Sequence, residues 1–193
     1  PTFARKPIFG YKAIAFSSMA IALLSFMVWA HHMFTSGLSP SIEVAFMLLT
    51  MVIAVPTGIK IFSWVMTLFG GKIHFTTAML FAIGFIITFL CGGLTGIYLA
   101  AVPVDLHLHG TYFIVAHLHY VLFGGSVMGI FAGLYYWWPK MTGRMMNETL
   151  GKWHFALLFT AFNLTFMPMH FLGIMGMPCL LYTSPSPRDR QKA

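Results

Sequence analysis

The chain has 193 residues, of which 59% are hydrophobic and only 8% charged, against roughly 25% charged in soluble domains. That composition excludes an ordinary soluble globular domain and indicates an all-α integral membrane protein in a lipid bilayer. The net charge of +7 does not point to nucleic acid, because the lysines and arginines stand singly between apolar runs rather than on a polar face interleaved with aromatics.

In chain order, the amino end "PTFARKPIFGYK" lacks the positive, apolar and cleavable order of a signal peptide, and without an initiator Met it reads as a cut through a longer protein. Apolar stretches of about 20 residues, enough to cross a core of roughly 30 Å, predict five transmembrane helices at about 11–30, 42–69, 77–101, 111–138 and 151–175. The connections "TSGLSPS" (35–41), "FGGK" (69–72), "VPVD" (102–105) and "WPKMTGRMMNE" (138–148) hold turn residues. Such short links make consecutive helices antiparallel neighbours in one bundle. Arg5, Lys6, Lys12, Lys72, Lys140, Arg144 and Lys152 gather at the ends expected to be cytoplasmic, while Glu43 and Asp105 mark the opposite side. Residues 179–193, "CLLYTSPSPRDRQKA", are polar and aperiodic, and read as a disordered or artefactual tail, resembling translated cloning sequence, outside the membrane domain of 1–178. Cys91 and Cys179 form no CxxC pair and no disulfide framework.

Nine histidines stand against four carboxylates, although burying a polar ring without a partner costs roughly 1–3 kcal/mol. His117 and His119 flank one leucine in the fourth helix. Residues two apart on an α-helix point about 200° from each other, so these rings cannot serve one ligand but can reach two, one on each side of the helix. A neutral imidazole suits iron, copper, zinc or nickel, and one axial histidine per face in apolar surroundings suits haem. The alternative is two rings hydrogen-bonded to neighbouring helices. His31 and His32 sit where the first helix should fray, which allows both rings onto one ion; the alternative is an interfacial pair in water. His117 and His119 lie about 9 and 12 Å along the fourth helix at 1.5 Å per residue, in the same half of the bundle as the His31–His32 pair.

Five stretches, "AHHMFTSG", "AVPTGIKIFSW", "GGLTGIYLA", "LHGTYFIVAHLHYVLFGG" and "FNLTFMPMHFLGIMGMP", together resemble the carboxyl-terminal half of subunit I of the haem-copper oxidases, of the cytochrome c oxidase type. The resemblance covers about residues 1–178 and implies part of a twelve-helix fold. It implies that His31 and His32 are copper ligands, His117 the axial ligand of a high-spin haem and His119 that of a low-spin haem, the haems being of the haem a type. The implied activity is four-electron reduction of oxygen to water coupled to proton pumping, with oxidase subunits II and III and cytochrome c as partners. The implied location is the bacterial plasma membrane, or the mitochondrial inner membrane if eukaryotic. "PTGIK" resembles the family's lysine proton channel, which makes Lys60 and Thr57 candidate proton carriers; the alternative for Lys60 is a side chain that snorkels to the interface. His109 matches a magnesium ligand, but Gly110 stands where the family commonly has Asp, and Mg²⁺ prefers oxygen ligands. His74, His107, His154 and His170 read as interfacial or hydrogen-bonded rings. The third copper histidine and the second low-spin haem ligand belong to earlier helices of the family, and "CLL" replaces the arginine pair that follows "GMP", so this chain alone should be inactive. A quinol oxidase of the same superfamily and a non-catalytic di-haem electron carrier are the competing readings.

Overall fold

The computed structural model describes residues 1–180. Among these residues eight α-helices follow one another: α1 Tyr11–Ser25, α2 Pro40–Val52, α3 Ala54–Leu68, α4 Thr77–Ala100, α5 Val102–Leu108, α6 Tyr112–Leu118, α7 Met128–Thr142 and α8 Glu148–Ile174. A 3-10 turn, Trp29–Met33, lies between α1 and α2, and a π-helical segment, His119–Val127, joins α6 to α7 without a break. Among the described residues four continuous spans are long and apolar enough to cross a membrane: Pro40–Leu68, Thr77–Ala100, Tyr112–Thr142 and Glu148–Ile174. The shortest has 24 residues, about 36 Å at 1.5 Å per residue. The fifth apolar helix, α1, has 15 residues. Most of the apolar surface of these spans faces outward, as it does where lipid or further helices are the solvent.

Several boundaries differ from those read off the sequence. α1 stops at Ser25 rather than near residue 30, and the chain turns at Phe26–Val28, although "FMVWA" stays apolar throughout. The second helix read from the sequence is one span, Pro40–Leu68, with a local distortion at Ile53 where α2 passes into α3. The "VPVD" stretch is not a bare turn: Pro103 enters the first turn of α5, where its missing N–H costs nothing.

Local sequence explains the helix starts. Thr76 and Asn147 cap α4 and α8 by accepting from Met79 N (3.3 Å) and Leu150 N (3.0 Å). Glu148 ties the two starts together, because its Oε1 accepts the Thr77 N–H at 2.5 Å. At that end, Phe81 is fully buried among Phe131, Tyr135, His154 and Phe155, and the Tyr135 hydroxyl pairs with His154 Nδ1 at 3.1 Å. The amino-terminal segment is fastened to the end of α3: the Lys6 ammonium donates to the Met66 and Phe69 carbonyls at 2.9 and 2.7 Å, satisfying acceptors a helix end leaves free.

α4 is the central element. It packs along the π-segment and α7, while α6 lies on α8 and α1 on α3. Thr88, fully buried on α4, reaches the Gly124 carbonyl in the π-segment at 2.9 Å.

Candidate functional site

One cavity of about 580 Å³ lies between α2, α3, α4, α6 and the 29–33 turn, with a largely apolar lining. Its size falls within the roughly 300–1,000 Å³ of small-molecule and cofactor sites. Of the residues singled out from sequence, His31, His32, Thr57, His109 and His117 line it; Lys60 and His119 do not.

The first pair converges. The His31 and His32 Nε2 atoms are 3.0 Å apart, because the chain has left α1 and entered a 3-10 turn that brings both rings to one side. Thr50 presets the His31 tautomer. Its hydroxyl donates to the Phe46 carbonyl at 2.6 Å, so its oxygen accepts from His31 Nδ1 at 3.2 Å. The Nε2 lone pair of His31 is thereby left facing His32. Burial, followed by the neighbouring His32 and His117 rings, lowers the His31 imidazole to about 4. The ring is therefore neutral near pH 7, the state in which imidazole binds a metal.

His117 is seated on α4. Its Nδ1–H donates to the Gly92 carbonyl at 3.0 Å, with Thr95 Oγ1 3.1 Å away. A Cβ built on Gly96 would lie 2.9 Å from His117 Cε1, so the ring occupies the space a side chain there would take. With Nδ1 engaged, Nε2 carries the free lone pair, the arrangement that fixes ring and tautomer in ligating histidines. Gly92, Thr95 and Gly96 all belong to "GGLTG". The sequence marked that motif, but not what it touches, which depends on α4 meeting α6.

His119, the first residue of the π-segment, faces away from the cavity towards α8. Its Nδ1–H donates to the Val115 carbonyl at 2.8 Å, which again leaves Nε2 free, and its ring stacks on Phe166. The two rings thus leave the rod on different flanks.

His109 is paired rather than isolated. Because 102–108 is helical, Asp105 sits at i−4 and its Oδ2 accepts from His109 Nδ1 at 3.0 Å. Burial holds the Asp105 carboxyl above its usual range against the opposing pull of His109. Gly110 has φ +71°, a left-handed backbone that glycine adopts most easily, and its carbonyl accepts from Cys179 N at 2.9 Å. Cys179 is the first residue of the stretch read as a tail; 181–193 lie outside the described residues. Thr57 Oγ1 donates to Ile53 O at 2.8 Å, and the Lys60 ammonium lies 5.7 Å from the Trp64 ring centre, off the cavity. His170 is buried in α8 with its Nε2 unpaired among the described residues.

The residues present fit metal and haem chemistry: three imidazole Nε2 atoms are free or convergent, and a roomy apolar cavity adjoins them. Among the described residues no three His, Cys, Asp or Glu side chains cluster closely enough to hold a metal by themselves, so the His31–His32 pair could supply at most part of a ligand set.

Comparison with known proteins agrees with this chemistry. The family model described as "Cytochrome C and Quinol oxidase polypeptide I" matches residues 1–192. Cytochrome c oxidase subunit 1 of Synechocystis sp. is 64% identical over 177 residues, 92% of this chain and 32% of that protein. Quinol oxidase subunit 1 of Bacillus subtilis is 50% identical over 182 residues, 94% of this chain and 28% of that one. A solved structure described as a heme-copper terminal oxidase dimer superposes with a TM-score of 0.73 over 88% of this chain and 35% of that chain, at 21% identity, which shows a shared fold. The chain spans about a third of the length of the curated relatives it matches. On its sequence, its helical architecture and this match over nearly its whole length, the chain belongs to the cytochrome c and quinol oxidase polypeptide I family.

Proposed function

We propose that this chain is part of the catalytic subunit of a cytochrome c oxidase, in which oxygen is reduced to water at a haem-copper centre and proton pumping accompanies the reaction. The observation that carries this reading is the convergence of His31, His32 and His117 on one apolar cavity while His119 leaves the same rod on another flank. His31 and His32 would hold copper, His117 the high-spin haem and His119 the low-spin haem. When bound, iron and copper supply electrons to oxygen in concert.

The chain's own side chains prepare that chemistry. By engaging Nδ1, Thr50 leaves the His31 Nε2 lone pair free, where it would take the copper, and the Gly92 carbonyl leaves the His117 Nε2 lone pair free, where it would take the high-spin haem. The apolar lining limits bulk water around those nitrogens, which strengthens every electrostatic interaction there. Thr57, on the cavity wall, and Lys60, one turn further along α3, would pass protons towards it. Lys60 must leave Trp64 to do so, a swing its four-carbon stem allows. Asp105 would supply beside His109 the carboxylate that Gly110 lacks, making that pair the candidate magnesium ligands. Subunits II and III and cytochrome c are the expected partners, and a bacterial plasma membrane the expected location.

The test is elemental and spectroscopic, on the full-length subunit in its assembled oxidase. His32→Ala should lose copper while both haem spectra persist, and Lys60→Met should block reduction of the haem-copper centre with both spectra intact. Full copper in His32→Ala, or unchanged turnover in Lys60→Met, would refute the corresponding assignment. A quinol donor is the second reading, favoured by the 50% identical quinol oxidase relative, and oxidation of quinol but not cytochrome c by the assembled enzyme would select it.

A further inference from the structure

We propose that Phe166 is a positioning residue that sets the plane of the His119 imidazole; this rests on the reading of His119 as the low-spin haem ligand. The ring torsion of histidine is broad and only weakly restrained by rotamer preference. One hydrogen bond, His119 Nδ1–H to the Val115 carbonyl, fixes a direction in the ring plane but leaves the ring free to rock about it. The Phe166 ring removes that freedom. It lies parallel to the imidazole, with centroids 4.0 Å apart and planes 14° apart, so any rocking drives one ring edge into the phenyl face.

The stack is itself braced. Phe162, one turn earlier on α8 and almost fully buried, backs Phe166 at 5.0 Å and stacks on Phe123 of the π-segment at 5.2 Å. The register between the two elements is locked beside the stack, because the Tyr120 hydroxyl donates to Asn163 Oδ1 at 2.7 Å. Tyr120 adjoins His119 in sequence, and Asn163 precedes Phe166 by three residues. His117 obtains its orientation differently, from hydrogen bonding on α4. The two ligand planes are therefore controlled by different helices, and one can be disturbed without the other.

The plane of an axial imidazole governs the anisotropy of the ferric low-spin haem signal in electron paramagnetic resonance, which turnover does not report. In the full-length subunit assembled as the oxidase, Phe166→Leu should shift and broaden the low-spin g-values and leave the high-spin haem's signals unchanged, while Phe166→Tyr, which keeps a flat face, should retain the parental signal. Phe162→Leu weakens the brace but leaves the flat Phe166 face against the imidazole, so it should lower thermal stability and move the g-values less than Phe166→Leu does. Should Phe166→Leu fail to accumulate, Phe166→Met, similar in volume but with no flat face, is judged by the same signal. Parental g-values in the Leu or Met variant, or an equal shift in Phe162→Leu, would overturn the inference. Loss of the low-spin haem in His119→Ala is expected throughout; its survival would instead overturn the reading of His119.

Discussion

Adding a single methyl group at Gly96 probes how tightly His117 is seated. A Cβ there would lie 2.9 Å from His117 Cε1, whereas non-bonded carbons rest about 3.5–4.0 Å apart, so the ring must retreat by about 0.6–1.1 Å. Its Nδ1 now lies 3.0 Å from the Gly92 carbonyl and 3.1 Å from Thr95 Oγ1, and a retreat of that size takes both beyond hydrogen-bond range. The helix itself gains about 0.5–1 kcal/mol from alanine, which offsets much of the roughly 0.5–1.5 kcal/mol a lost hydrogen bond costs. A misplacement of about 1 Å at a reacting centre costs about 10²-fold in rate, equivalent to about 2.7 kcal/mol of barrier. On the proposed reading of His117 as the high-spin haem ligand, oxygen consumption in Gly96→Ala of the assembled full-length subunit should fall by about that factor, with a shifted iron–histidine stretching vibration and only a small change in melting temperature. Gly129→Ala, where a methyl meets nothing within 4 Å, is the control. A parental rate and an unshifted vibration in Gly96→Ala would refute the account of how this ring is held.

Thr88→Val keeps the shape of the side chain but removes the donor to the Gly124 carbonyl; interhelical hydrogen bonds in membranes contribute about 0.6–1.7 kcal/mol, so the melting temperature in detergent should fall with haem content intact. Gly110→Val forces a β-branched residue to φ +71° at about 1–2 kcal/mol; it should destabilise the subunit, and Gly110→Asn should do so less, both read by thermal unfolding.

Long apolar runs made the membrane-spanning segments legible, because nothing but a helix can satisfy so much backbone in lipid. The interruptions were not legible. The stretch Phe26–Ala30 is as hydrophobic as the helix before it, so hydropathy carried no sign that α1 ends at Ser25. The π-segment His119–Val127 has ordinary helical composition, and its contact with α4 is tertiary: the Thr88 hydroxyl, 36 positions away, lies 2.9 Å from the Gly124 carbonyl and 2.8 Å from that of Gly84. The histidines stood out because imidazole is rare among so many apolar residues, and the spacing of His117 and His119 already required different flanks. Their supports stayed hidden: Gly92, Thr95 and Gly96 form an unremarkable small-residue run until α4 lies against α6. From the sequence Asp105 reads only as a surface acid, because "VPVD" predicts a turn where the structure has a helix that places it at i−4 from His109.

The short separation between His31 and His32 also has a consequence for where their hydrogens sit. Two nitrogen lone pairs 3.0 Å apart repel unless a proton lies between them. Thr50 commits the His31 proton to Nδ1, so the bridging hydrogen must belong to Nε2 of His32. The turn therefore presents two neighbouring rings in opposite tautomers, with the hydrogen on Nδ1 in His31 and on Nε2 in His32.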